Sequence, residues 1–418
     1  MRVLLTCTGP WGTGSGTVAF AVQKELMKMG LEVLTFFPDR DSPPTGLEYY
    51  YQDRSLFQTI NFPTIHDGVS LNTFPLMIPD PNPRNIKNAW TYKDLTPKEI
   101  NACSDYYRQE LLKVLNEFKP HVIECQHIWI LDYIIAKLGF SFISVAHNSD
   151  QIAFEYDPRM QEITKWSAHK AYKIFAISDH VNQKVVNLYG VPANKVITLK
   201  NGFDRDLFQP MDINREETLR SLGLEVGTDV PIIAFCGKLS KTKGVDILLK
   251  ANEIIQAKTK AHIAFLGSGH LDQCLAPHET YCLKNTSFLG HRSPKDMIKL
   301  YNISRLSVLP SREEGFSIAA LEAMGCGLPL VATSVGGLPD ITVGRLVEPE
   351  NPEQLAEAIL QVLSLSDSAY TSLKKKAVKM AQNYSWENVV TKRLPFYGEV
   401  AHQNRSVEKF VHADVRIA

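Results

Sequence analysis

The sequence predicts an α/β protein of two doubly wound parallel-sheet domains, and three observations carry that expectation. The chain has 418 residues, too many for one compact core and enough for two domains of about 200 each. Short continuous apolar runs recur along it, as in strands buried on both faces of a parallel sheet. Helical stretches separate these runs, and repeated strand–helix units imply right-handed crossovers within each sheet.

In the first half the strand runs are RVLLTC, EVLTFF, HVIECQ, SFISVAH, KIFAIS and KVITLK. After the first comes GTVAFAVQKELMKMG, with Val18, Phe20, Ala21, Val22, Leu26 and Met29 on one broad apolar stripe. Gly30 ends it, as glycine commonly ends helices. Pro63 to Thr96, rich in Pro and Asn, reads as a long irregular flap. After NGFDRDLFQPMD the alternation restarts with strands IIAFCG, AHIAFLG, LSVLP, LPLVAT and GRLVEP. The helices VDILLKANEIIQAK, KDMIKLYNIS, SIAALEAMG and NPEQLAEAILQVLSL alternate with them. Two Rossmann-like domains follow, meeting near Phe203 to Glu217, with ligands expected at the carboxyl ends of strands in an interdomain cleft. The aromatic, amphipathic tail from Tyr384 reads as one more helix of the second domain or as a crossing back to the first, and the pattern by itself favours the plain helix.

Composition narrows the function classes. Lys plus Arg equals Asp plus Glu at 45 each, so the basic surplus of a nucleic-acid binder is missing. Cys7, Cys103, Cys125, Cys236, Cys274, Cys282 and Cys326 form no CxxC pair, which points to reduced thiols in a cytoplasmic protein and away from a metal site. No window reaches the roughly 18 apolar residues of a membrane span, which leaves peripheral membrane contact open.

Three loops at strand ends could hold an anion. The stretch SREEGFSIAALEAMGCGLPLVATSVGG places Glu314 in a loop and Glu322 in the helix that follows. The first amides of that helix lack internal partners and carry partial positive charge, and Gly315 permits close backbone approach. Two carboxylates there would repel a bare phosphate but accept hydrogen bonds from hydroxyl-rich groups flanking one. The loop KLSKTKGVD brings Lys238 and Lys243, two cations able to stabilise a departing diphosphate. GPWGTGSGTVAF sets Gly12, Gly14 and Gly16 between a strand and a helix, a loose form of the dinucleotide fingerprint. Each loop taken singly also fits ordinary solvated surface.

With these residues in hand the chain resembles the retaining glycosyltransferases of family 4, which have the GT-B fold. PSREEGFSIAALEAMGCGLPLVATSVGGLPD carries the likeness, supported by GKLSKTKGVDILLKA, FAISDHV, NGFDRDLFQP, FLGSG and YSWENVV. The resemblance implies that Glu322 binds the nucleotide ribose, Glu314 the donor-sugar hydroxyls, and Lys243 the diphosphate. Lys238 stands where an arginine is usual, keeping the charge without the bidentate fork. Gly237, Gly315, Phe316, Ser317 and Ile318 would line the donor, Arg292 would sit by the base pocket, and Gly14 and Gly16 would approach the diphosphate. His147 matches a histidine beside the donor sugar. The likeness also implies a first domain of residues 1–205, completed by a C-terminal helix at about 388–418, and a second of 206–387.

The expected reaction is transfer of a sugar from a UDP-, ADP- or GDP-sugar to a small hydroxyl acceptor such as a sugar phosphate or hydroxy acid. A lipid-linked or polysaccharide acceptor and a nucleotide-sugar epimerase remain alternatives. No cofactor or metal is implied; the two DRD triplets, at Asp39–Asp41 and Asp204–Asp206, lack the context of a metal-binding DxD. A Rossmann oxidoreductase fits less well, because the acid expected at the end of the second strand is replaced by Asp39 alone. A sugar-nucleotide sensor without activity is a further rival. Local similarity in GSGTVAFAVQKELMKMG and FPTIHDGVSLNTFP is to the enzymes that glycosylate malate in bacillithiol synthesis. Arg159 and Lys165 are candidate cations for an anionic acceptor.

Overall fold

The computed structural model describes residues 1–40, 47–79, 86 and 89–404. The chain divides into two compact units, Met1–Lys200 with Trp386–Ala418, and Asn201–Ser385. These divisions lie a few residues from those expected at 205/206 and 387/388.

The strands of the first unit are β1 (Arg2–Cys7), β2 (Glu32–Arg40), β3 (Phe57–Phe62), β4 (Thr64–His66), β5 (Val69–Leu71), β6 (Val122–Gln126), β7 (Ile143–Ala146), β8 (Lys173–Ala176) and β9 (Val196–Thr198). Seven of them form one sheet in the order β3-β2-β1-β6-β7-β8-β9, parallel throughout. Its helices are α1 (Gly14–Lys28), α2 (Pro97–Phe118), α3 (Ile130–Lys137), α4 (Ser149–Tyr156), α5 (Gln161–Lys170) and α6 (Asp179–Tyr189). In α1 the apolar Val18, Val22 and Leu26 are buried. So is Gln23, whose amide donates to Val33 O and Leu56 O and accepts from Thr35.

In the first unit, two features depart from the expected strands and flap. β3 sets exposed Gln58 and Asn61 among buried Phe57, Ile60 and Phe62, so its FQTINF lacks the unbroken apolar run that marks its neighbours. The expected flap contains an ordered hairpin, β4–β5. Its turn is Asp67–Gly68, both with positive φ, the pairing that two-residue hairpin turns favour. Residues 80–85, 87 and 88 of that flap lie outside the described residues.

The second unit contributes β10 (Ile232–Cys236), β11 (His262–Leu266), β12 (Thr286–Phe288), β13 (Leu306–Leu309), β14 (Leu330–Thr333) and β15 (Gly344–Val347). They pair in parallel in the order β12-β11-β10-β13-β14-β15. Its helices are α7 (Arg215–Leu222), α8 (Val245–Lys258), α9 (Pro294–Ile303), α10 (Ile318–Gly325), α11 (Pro352–Leu363) and α12 (Asp367–Gln382). Ile233, Phe235, Val245, Leu248, Leu249, Ile263, Leu306 and Val331 form part of its core. In both sheets strand order reverses next to the first strand, between β1 and β6 and between β10 and β13. Loops leaving the carboxyl ends of such a strand pair diverge and open a crevice.

The tail, read by itself as one helix of the second domain, is two helices of the first unit: α13 (Trp386–Thr391) and α14 (Leu394–Asn404). Pro395, which has no N–H to donate, is tolerated in the first turn of α14. Residues 405–418 lie outside the described residues.

Candidate active site

In the second unit the crevice between β10 and β13 gathers most of the expected donor residues. The loop after β10 begins at Gly237, whose N–H donates to Leu266 O at 3.0 Å. It ends at Gly244, which caps α8 with φ +68°. A Cβ on Gly244 would stand 1.8 Å from Pro310 O, so this loop lies directly on the one that follows β13. Arg312 ties the two together. Its N–H donates to Thr242 O at 2.8 Å, and its guanidinium grips the Asp246 carboxylate at 2.7 and 2.8 Å and also meets Glu350. Arg312 is not among the residues expected from the sequence, where its only signal is a cation next to the two acids of SREEGF.

A third loop closes on the same place. Gly336 has φ +55°, and a Cβ on it would fall 1.6 Å from Glu314 O. Gly337 N–H donates to Gly315 O at 3.1 Å. Thr333 Oγ1 donates to Ser311 O at 2.6 Å. The glycine pair after β14 therefore clasps the segment that presents Glu314.

Within this frame Lys243 Nζ donates to Glu314 Oε2 at 2.7 Å, with both side chains largely enclosed. Lys238 follows Gly237 with its ammonium nitrogen buried. Ser317 is the N-cap of α10 and accepts from Ala320 N–H; Phe316 is buried against Tyr384. Glu322 stands in the second turn of α10. Burial, then the neighbouring Asp204, push its carboxyl up to about 8. Gly325 ends α10 against Phe203 and Phe208 O, where a Cβ would stand 2.5 and 2.6 Å away. Arg292, in the loop after β12, donates from Nε to Leu289 O at 3.0 Å.

The first unit has its own crevice. Thr13 caps α1, accepting from Gly16 N–H at 3.1 Å while donating to Pro10 O at 2.7 Å. Gly14 is exposed with nothing near its Cβ direction, whereas a Cβ on Gly16 would stand 2.4 Å from Pro10 O. His147 follows β7 and meets Gln126 Oε1 through Nε2 at 2.8 Å. Burial, then His127, then Arg393 hold its pKa well below the usual histidine value. His127, one residue beyond HVIECQ and unnoticed in the sequence, sits at the strand reversal with φ +83°. Its ring lies 4.9 Å from that of His147 and bonds Thr8 Oγ1 at 2.6 Å and Ser149 Oγ at 3.0 Å.

The acceptor cations fare differently. Arg159 is a strut: its guanidinium binds Asp157 and donates to Leu95 O and Tyr92 O. With those donors committed, the guanidinium is a poor reserve for an acceptor. Lys165 Nζ lies 5.6 Å over the Phe154 ring. The DRD triplets serve local structure: Asp39 is buried and bonded by Tyr51, and Asp204 accepts the N–H groups of Asp206 and Leu207. Asp41 lies outside the described residues. His66, Asp67 and Asp105 approach one another, but Asp105 already receives Arg108 and Gln109.

Residues 12–207 match the family model described as Glycosyltransferase Family 4, and residues 221–383 match Glycosyl transferases group 1. An uncharacterized glycosyltransferase of Methanocaldococcus jannaschii is 26% identical over 310 residues, 69% of this chain and 78% of that one. A D-inositol 3-phosphate glycosyltransferase of Corynebacterium aurimucosum is 29% identical over 229 residues, 51% of this chain and 54% of its own length. Among solved structures, Anabaena HepE in complex with UDP-glucose superimposes with a TM-score of 0.70 at 15% identity, covering 96% of this chain and 100% of that one. That likeness speaks for the fold. With two glycosyltransferase models matching successive halves on two Rossmann-like sheets, the chain belongs to family 4 of the glycosyltransferases and carries the GT-B fold.

Proposed function

We propose that the protein transfers a sugar, with retention of anomeric configuration, from a nucleoside-diphosphate donor to a hydroxyl of a small polar or anionic acceptor. The observation that carries this reading is the meeting of Lys243, Glu314 and the start of α10 at one strand reversal, 2.7 Å separating the first two. In the free protein the lysine and the glutamate neutralise each other. An incoming diphosphate competes for the ammonium and leaves the Glu314 carboxylate to accept from donor-sugar hydroxyls. Glu322 takes the ribose hydroxyls.

In the reaction the acceptor oxygen bonds to the anomeric carbon as the bond from that carbon to the diphosphate oxygen breaks. The acceptor's proton passes to the departing phosphate on the same face, so no protein nucleophile is required. Lys238, Lys243 and the amides at the start of α10 stabilise the charge that grows on the leaving group. Gly14, exposed at the start of α1, is the glycine proposed to approach the diphosphate, Gly16 closes the turn against Pro10 O, and His147 contacts the donor sugar. The chemistry calls for no metal or cofactor; full turnover in chelator is the expected result.

An anionic acceptor is favoured by the likeness to a D-inositol 3-phosphate glycosyltransferase, and Lys165 is the remaining candidate to meet it. The cysteines are all free thiols, in keeping with a reducing, cytoplasmic setting. Among the described residues no helix is long and apolar enough to cross a membrane.

A panel of UDP-, ADP- and GDP-sugars scored by thermal shift identifies the donor, because preferential binding raises Tm in proportion to affinity. Hits are then crossed with phosphorylated and unphosphorylated polyols and hydroxy acids. The expected product retains the donor's anomeric configuration by NMR. Binding of no member, or an inverted product, contradicts the proposal.

A further inference from the structure

A line of buried polar groups runs from the C-terminal helices to His147. Tyr397 on α14 donates its hydroxyl to Glu124 Oε2 at 2.7 Å, and Arg393, between α13 and α14, places Nε 3.4 Å from the same oxygen. Arg393 and Glu124 have no exposed side-chain surface. Glu124 Oε1 receives Gln126 Nε2 at 2.9 Å, and Gln126 Oε1 meets His147 Nε2 at 2.8 Å.

The order of donors along this line is forced. A carboxylate only accepts, so Gln126 must turn its NH2 toward Glu124 and its oxygen toward the histidine. That fixes the amide orientation by chemistry, where coordinates alone leave it a matter of assignment. An amide oxygen also only accepts, so His147 Nε2 must carry a hydrogen. A neutral imidazole has one such hydrogen, which leaves Nδ1 with a lone pair.

We infer that Glu124 and Gln126, held by Arg393 and Tyr397, are positioning residues that lock His147 as the Nε2–H tautomer, so that Nδ1 meets a substrate hydroxyl as an acceptor. The second clause rests on the proposed role of His147 at the donor sugar; the tautomer does not. The C-terminal helices thus reach the chemistry through a proton's position, without touching substrate. Nothing in the sequence marks this, because Glu124 and Arg393 lie 269 residues apart.

The test is 15N NMR of histidine-labelled full-length protein at neutral pH, with His147 assigned by comparison with His147→Asn. The expected pattern is a protonated Nε2 and an unprotonated Nδ1. A protonated Nδ1, or a doubly protonated ring, overturns the inference in the wild type alone, whether or not any variant folds. Gln126→Leu should abolish the single-tautomer pattern and lower kcat by about tenfold or more, as expected for a misoriented group, with little change in donor KM. Glu124→Gln frees the Gln126 amide to flip and should give a tautomer mixture. If both variants keep the wild-type pattern, the relay is refuted. If the pattern shifts while turnover is unaffected, the tautomer lock stands and the role of His147 in transfer fails.

Discussion

Burial without a cationic partner raises a carboxyl's pKa, and Glu322, with Asp204 adding repulsion, rises from the usual 4.5 to about 8. The sign of the consequence follows by linkage. Stability is full below about 4.5 and is lost as pH rises toward 8, because the unfolded chain releases this proton more readily. Glu322→Gln should therefore remove part of the fall in Tm between pH 5 and pH 8, by about 2 °C or more, as a pH series of melts would show. Ribose hydroxyls donating to Glu322 favour its ionised form, so nucleotide binding at pH 7 should release a proton. Calorimetry in buffers of different ionisation enthalpy reads that proton directly, and Glu322→Gln should abolish it.

At the scale of elements, glycines separate structural from ligand-facing roles. Gly16 is pressed on Pro10 O and Thr13 Oγ1, while Gly14, two residues earlier on the same helix, has open space. Gly16→Ala should cost roughly 2 kcal/mol or more, in the range of overpacked sites. Gly14→Ala should stay within about 1 kcal/mol of wild type, since alanine suits a helix, and should weaken nucleotide-sugar binding if this loop approaches the diphosphate. Denaturant unfolding and donor titration of the two variants check both halves. Most elements were legible in the sequence because buried parallel strands are unbroken apolar runs. Among the exceptions, β3 is an edge strand with exposed Gln58 and Asn61, β12 is a three-residue edge strand, and the β4–β5 hairpin has three residues per strand.

Across the whole molecule, what the sequence could not reveal is long-range pairing. The positions of Glu314, Lys243 and the glycine-rich stretch after strand ends, and of Glu322 on the helix that follows, were readable because each lies within a local motif. Arg312, His127, Glu124 and Arg393 were not, because their meaning depends on partners far along the chain. The tail's amphipathic pattern says by itself only that it packs; the family resemblance implied that it completes the first domain, and the buried Arg393–Glu124 pair holds it there. Removing one partner of a buried ion pair leaves an uncompensated charge at a cost of about 3–5 kcal/mol. Arg393→Ala should destabilise the full-length protein by that order in urea unfolding, and pairing it with Glu124→Gln should recover part of the loss. A variant as stable as wild type would show that the tail is not held this way.

The central claim is that the loops after β10 and β13 hold a nucleoside diphosphate through Lys243. It is tested most directly by calorimetric titration of wild type and Lys243→Ala with the nucleoside diphosphate of the best donor. The account predicts that the variant binds at least about tenfold more weakly, the loss expected when one charge-assisted contact worth 1.5–3 kcal/mol is removed, and that it loses most turnover. Equal affinity and full turnover in the variant would contradict it.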